Sequence, residues 1–207
     1  WWPPSSWRDF TGFSATLWWR TLVFLFLLWL FTRLFLGRSW AVPAMNSKGV
    51  DHLYVNFLAF GLRIPFTRWH LLRWGTPKRG DLVLYHPNAR VNADGEPLLG
   101  RVAGLPGEKV QFNGGALHVN GSALTEPEVL AEQSYAKHPE NAAFGLSKKK
   151  SQVPEGHYFI LADPEDEEGE KDEAVDSRVV GWVAENALAG RAAAVWWPLT
   201  RLRVVKP

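Results

Sequence analysis

The segment Thr21–Thr32 reads TLVFLFLLWLFT and carries no charge. Extended to Ala15 and Gly37, the apolar stretch is interrupted only by Arg20 and Arg33. A helix rising 1.5 Å per residue would carry residues 15–37 roughly 35 Å, enough to cross the hydrocarbon core of a bilayer. The two arginines can snorkel toward head groups from such a helix. Leu and Phe occupy every helical face, which argues against an amphipathic surface helix. A buried core helix is the bland alternative. A cleaved signal peptide is opposed by the poor cleavage site at Arg38-Ser-Trp40. Trp1, Trp2, Trp7, Trp18, Trp19, Trp29 and Trp40 crowd this end of the chain, and indole rings favour the membrane–water interface. The expected organisation is a tail at 1–14, one transmembrane helix at 15–37 and a folded domain at 38–207. Arg8 and Arg20 precede the apolar core while Arg33, Arg38 and Lys48 follow it, so positive charge does not decide the orientation.

Beyond Trp40 the pattern changes. Leu53–Phe57, Asp81–Tyr85, Lys109–Phe112, Leu117–Val119, Tyr158–Leu161, Ala193–Trp197 and Leu202–Val205 are short runs rich in β-branched and aromatic residues. Turn signals separate them: Lys78-Arg-Gly-Asp81, Asn113-Gly-Gly115, Asn120-Gly121 and Pro154-Glu-Gly156. This predicts a mainly β, antiparallel domain with tight hairpins, the clearest at Asn113-Gly114-Gly115. Residues 122–152 and 163–173 read as solvated loop insertions, the first containing Lys148-Lys-Lys150 and the second dominated by Asp and Glu. The acidic loop lacks the ordered spacing of a calcium loop.

Composition excludes several classes. The net charge of +2 gives no field for nucleic acid. The absence of cysteine excludes disulfides and thiolate metal sites, and it suits an oxidising compartment. No ligand cluster supports a metal-dependent enzyme, and no cofactor is expected.

Gly100 is followed by Arg101-Val-Ala-Gly-Leu-Pro-Gly-Glu-Lys-Val110. That segment resembles the catalytic-base box of type I signal peptidases, Lys-Arg-Val-x-Gly-x-Pro-Gly-Asp/Glu-x-Val. Further boxes follow in order. Asp51–Pro65 is similar to Gly-Asp-x-Leu-x-Val-Asn-Lys-x-x-Tyr-Gly-x-Arg-x-Pro, and Arg79–Pro87 to Arg-Gly-Asp-Ile-Val-x-Phe. Leu117–Gly121, Val153–Asp163, Val175–Gly181 and Gly190–Trp196 resemble the remaining boxes and the closing strand. The resemblance implies a signal-peptidase-like antiparallel β domain behind an N-terminal membrane anchor. It also implies a bacterial cytoplasmic membrane location, with the domain on the periplasmic or extracellular side.

The family's chemistry is a serine–lysine dyad. A serine attacks the scissile carbonyl, a buried neutral lysine is the general base, and a second serine orients that lysine. Carried over residue by residue, the nucleophile position is Ala44, the base position Gly100 and the orienting position Ala174. The oxyanion serine would be Val42, and the interval from Ala44 to Asp51 is two residues shorter than the family's. What survives is scaffold: Asp176 and Arg178 as a structural ion pair, and Gly104, Pro106 and Gly107 shaping a turn. Ser47 and Lys48 are adjacent and would point to opposite faces of a strand. Lys109 reads as solvated, Ser177 as part of the Asp-Ser-Arg turn. His52, His70, His86, His118, His138 and His157 read as surface or satisfied polar residues.

The expectation is a single-pass membrane protein with a non-catalytic signal-peptidase-like domain. It would act as an interaction or structural subunit, its partners being the bilayer, other membrane proteins or extended signal-peptide-like segments. The alternative is a type I signal peptidase with its nucleophile mutated or its dyad relocated. Phe57, Phe60 and Trp69 are the expected apolar patch beside the bilayer.

Overall fold

The computed structural model describes residues 6–32, 37–43, 50–63, 70–87, 97–135, 142–146, 150–162 and 176–206. Helix α1 runs Ser6–Phe31. Its end is marked by the Thr32 hydroxyl, which donates to the Trp29 carbonyl at 2.7 Å. The large apolar side chains from Leu17 to Phe31, Leu30 apart, stand exposed around the helix. The expected transmembrane helix at 15–37 is not what the structure shows: the helix ends at Phe31 and strand β1 (Gly37–Pro43) already begins at residue 37. At Gly37 a Cβ would stand 2.3 Å from the Val55 carbonyl oxygen, a close approach only glycine allows. Among the described residues, no helix is long and apolar enough to cross a membrane.

The remaining strands are β2 (Val50–Asn56), β3 (Gly61–Arg63), β4 (His70–Arg73), β5 (Leu82–Tyr85), β6 (Leu98–Gly104), β7 (Val110–Asn113), β8 (Ala116–Val119) and β9 (Ser122–Ala123). After them come helix α2 (Glu128–Ala131), β10 (His157–Leu161), α3 (Ser177–Val180), β11 (Val183–Ala184), β12 (Leu188–Trp197) and β13 (Arg203–Val204). The main sheet has the order β1-β2-β12-β5-β6-β10-β11, with β13 added to β12. Every pairing in it is antiparallel. A β3–β4 ribbon and a β7-β8-β9 sheet stand apart.

The β7–β8 hairpin forms where Asn-Gly-Gly predicts it. Asn113 pairs with Ala116, leaving Gly114 and Gly115 as the turn, both at positive φ. A two-residue turn of this type requires positive φ at both positions.

Strands β6 and β10 form the centre because both their faces are covered. Val102, Tyr158 and Ile160 face one cluster with Val83, Tyr85 and Leu188. Ala103, Phe159 and Leu161 face another with Val110, Leu117, Leu130, Tyr135 and Val153. This corrects the reading of 122–152 as a solvated insertion. Leu130 and Tyr135 are buried, and Phe144 meets Trp182 edge-on at 5.2 Å. The segment closes a second core. The acidic stretch 163–173 lies outside the described residues, as do His138 and Trp69. The expected apolar patch also changes: Phe60 is buried and Phe57 half-buried. Exposed aromatic surface lies instead at Trp74, Trp196 and Trp197.

Candidate functional site

Strand β6 sets position 100 opposite Val83 of β5, and its next residue, Arg101, opposite Leu161 of β10. Residues alternate across a strand. Gly100 therefore faces the Tyr85–Ile160 cluster, and Arg101 faces the other way. The Arg101 guanidinium donates from Nη1 to the carbonyls of Gly80 at 2.8 Å and Lys206 at 2.9 Å. It is a buried tie between chain segments.

Gly100 is buried and closely packed. A Cβ there would lie 2.6 Å from Ile160 Cγ2, 2.9 Å from the Leu161 carbonyl oxygen and 3.4 Å from Tyr85 Cε1. No side chain enters that space without displacing core atoms or backbone. Burial pushes the Tyr85 phenol up from its ordinary value, and the Asp176 carboxylate adds to the shift. The phenol is therefore held neutral. Tyr85 stands where the Arg-Gly-Asp-Ile-Val-x-Phe box has phenylalanine.

The turn after β6 is built on glycine and an ion pair. At Gly104 a Cβ would meet Val110 Cγ2 at 2.4 Å, and Gly107 adopts φ 79°. Glu108 accepts the Leu105 N–H at 2.8 Å and is ion-paired with Arg79. Pro106 lies between the two glycines in this turn. Lys109 is exposed, as its position just beyond the turn suggests.

Asp176 precedes α3 as its N-cap, accepting the Arg178 N–H at 2.9 Å. Its carboxylate also meets Arg178 Nη2 at 2.8 Å, and both residues are buried. The pair is tied to β10: Ala162 N–H donates to Asp176 at 3.3 Å, and Ile160 N–H donates to Ser177 Oγ at 2.9 Å. The Asp-Ser-Arg turn thus fixes the strand that walls position 100. Ser177 Oγ is committed to that backbone contact.

Gly100, Asp176, Ser177 and Arg178 come together through β10. Ala44 and Ala174 lie outside the described residues, as do Ser47 and Lys48, and only the backbone of Val42 is described. Among the described residues, no group of three or more His, Asp and Glu could hold a metal ion.

One cluster escapes the sequence reading. Ser39 Oγ stands 3.5 Å from His52 Nδ1 and accepts the Trp196 indole N–H at 2.9 Å. The Ser39–His52 distance is at the outer limit of hydrogen bonding. Asp51, next to His52 on the strand, points to the opposite face and cannot orient it. The cross-strand register places Ser39, His52 and Trp196 together, and no motif announces them. His118 departs from the expectation for histidines, since its Nδ1 is buried without a hydrogen-bond partner.

Residues 15–197 match the family described as signal peptidase, peptidase S26. The chain belongs to that family. The signal peptidase I of Leptolyngbya laminosa is 31% identical over 135 residues, covering 63% of this chain and 58% of that protein. The signal peptidase I of Pseudomonas aeruginosa is 28% identical over 194 residues, covering 80% of this chain and 67% of that protein. The chain thus spans little more than half the length of the first relative and two thirds of the second. Among solved structures, a signal peptidase I from Enterococcus faecalis is similar at 28% identity with a TM-score of 0.40, over 57% of this chain and 97% of that one.

Proposed function

We propose that this protein is a membrane-anchored, signal-peptidase-like protein that has lost peptidase chemistry and acts through contacts with other proteins. The observation that supports this reading is Gly100. The base position has no side chain, and Ile160, Leu161 and Tyr85 leave no room for one. A lost side chain alone would leave a hollow that a neighbouring group could fill with a base. A closed core does not. Ala44 and Ala174 at the nucleophile and orienting positions agree with it at the level of sequence. An isolated trap substitution would alter one of these positions, not three.

The anchor in this reading is α1, with its exposed apolar surface from Leu17 to Phe31. The domain lies on the non-cytoplasmic side of a bacterial cytoplasmic membrane. Its work is to seat a partner membrane protein or an extended, signal-peptide-like segment. Strand addition to a sheet edge needs backbone groups, not a nucleophile.

The second reading, a peptidase with a relocated dyad, is favoured by the names of its relatives, which are signal peptidases I. Cleavage of a signal-peptide substrate by the purified full chain in detergent separates the two. No specific cleavage is expected. Cleavage abolished by Ser47→Ala or Lys48→Ala would establish a relocated dyad and end the first reading.

A further inference from the structure

An open cleft of about 280 Å³ lies between the β7-β8-β9 sheet and the turn that precedes β5. Arg79 and Glu108 line it from the turns before β5 and β7, and Asn120, Ser122, Thr125 and Glu126 line it from the β8–β9 hairpin and the chain beyond. Register shows that β9 offers free backbone here. Leu124 N–H donates to the Leu117 carbonyl at 2.8 Å, so these two residues are a hydrogen-bonded pair. Such pairs alternate along an antiparallel ladder. His118 and Ala123 are therefore a non-hydrogen-bonded pair, and the Ala123 N–H and C=O point away from β8. β9 is an edge of its sheet, and Ala123 is exposed. The opposite edge is closed: Val110 N–H donates to the Ser151 carbonyl at 2.8 Å, and Phe112 N–H to that of Gly145 at 3.3 Å.

The charges lining the cleft do not cancel. The Arg79 guanidinium is ion-paired through Nη2 with Glu108, whose other oxygen accepts the Leu105 N–H. Glu126 is exposed and has no ion pair among the described residues. One guanidinium against two carboxylates leaves one negative charge. Exposed Lys78 and Lys109 are chain neighbours of Arg79 and Glu108, so the negative end is that of Glu126, where Glu128 and Glu132 of α2 and its C-cap are also exposed. One donor is left over as well. Arg79 Nε is buried with no hydrogen-bond partner. Such a group is uncommon in a folded protein and calls for an explanation. A carbonyl brought into the cleft against the guanidinium supplies one.

We propose that this cleft is a docking site for an extended, basic peptide segment of a partner protein. The segment adds to the β9 edge through the Ala123 N–H and C=O, presents a carbonyl to Arg79, and sets a lysine or arginine beside Glu126. The proposal rests on the reading of this chain as a protein that works through contacts with other proteins, and it names one site for them. The free edge chooses extended backbone, because it offers a donor and an acceptor at strand spacing. The unbalanced carboxylate chooses a basic segment over an acidic one. β9 belongs to a different sheet from position 100, so the site does not depend on the lost catalytic positions.

The test uses the full chain in detergent and a fluorescent eight-residue peptide of alternating lysine and threonine. A photoreactive amino acid is introduced at Ser122 or, for comparison, at Ala41 on the β1 edge. Binding is expected by anisotropy, with crosslinks from Ser122 and none from Ala41. A peptide of alternating glutamate and threonine should bind about tenfold more weakly. Glu126→Gln should weaken the lysine peptide about two- to fivefold. N-methylation of one of the two alternating sets of peptide nitrogens should abolish binding, and of the other set should not. Ala123→Pro should abolish it from the protein side. No binding, crosslinks from Ala41 alone, equal affinity for the glutamate peptide, or indifference to Glu126→Gln and to both N-methylated peptides would each overturn the site. The native mass of the gently extracted chain reads the contact interpretation separately. A species heavier than the single chain keeps that interpretation standing when the site fails, and a bare monomer that cleaves signal peptides removes it.

Discussion

Gly100→Ala tests the closure of the base position most directly. The added methyl would sit 2.6 Å from Ile160 Cγ2 and 2.9 Å from the Leu161 carbonyl. Overpacking of this kind costs about 1–3 kcal/mol, and the contact with a backbone oxygen limits relaxation. Removing glycine from a strand returns about 0.5–1 kcal/mol. A net loss of about 1–2 kcal/mol remains. For a domain of this size that lowers the melting midpoint by roughly 2–8 °C, readable by near-ultraviolet circular dichroism in detergent. Ile160→Leu removes the offending Cγ2 branch, so a double-mutant cycle should give a coupling of at least about 0.5 kcal/mol between the two sites. Gly100→Lys should be worse than Gly100→Ala, because its amine would enter an apolar cluster. Even with Ala44→Ser and Ala174→Ser added, it should not cleave a signal peptide. A Gly100→Ala protein as stable as the parent, with no coupling to Ile160, would refute the packing argument. The proposed loss of chemistry would then rest on sequence alone.

Other perturbations follow from the same geometry. Asp176→Ala takes the carboxylate away from buried Arg178 and frees the Ala162 N–H; a loss of about 3–5 kcal/mol is expected by denaturant titration. Deleting residues 201–207 strips buried Asp51 of its ion pairs with Arg201 and Arg203, and a loss of about 3 kcal/mol or more should appear in the same assay. Tyr85 gives a pH signature. Its folded phenol titrates above the unfolded value near ~10, so its contribution is intact below that pH. Above it the unfolded state sheds a proton that the folded state keeps. Stability should fall by up to ~1.4 kcal/mol per pH unit, and Tyr85→Phe should remove that component from the alkaline limb.

Short strands with strong turn chemistry were legible in the sequence. Gly114-Gly115 after Asn113 encodes its own hairpin, and Tyr158–Leu161 has the apolar density of a central strand. Of the strands that were not legible, β1 and β6 were hidden for opposite reasons. β1 begins at Gly37, where the hydropathy of the preceding segment fades gradually, so the apolar run appeared to continue past the end of α1. β6 combines two glycines with an arginine, a poor strand composition by propensity. Tertiary packing overrides that propensity, because both glycines sit where a Cβ would collide with the core. The aromatic core under 122–152 was hidden for a third reason. Leu130, Tyr135 and Phe144 follow neither strand nor helix periodicity and find each other only in three dimensions.

The same distinction separates the two halves of the candidate site. Asp176 and Arg178 stand two residues apart, and an N-cap brings such neighbours into contact almost wherever the turn forms. Their pairing could be anticipated from sequence. Gly100 could not be read so fully, since a glycine in a sequence says only that a side chain is missing. Whether the space is a vacant pocket or solid core depends on Ile160 and Leu161, some sixty residues away, and on Tyr85. The distinction carries functional weight. A vacant pocket is compatible with a base supplied by a partner or by another part of the chain. In the proposed reading, a solid core at position 100 requires any surviving chemistry to lie elsewhere on the domain.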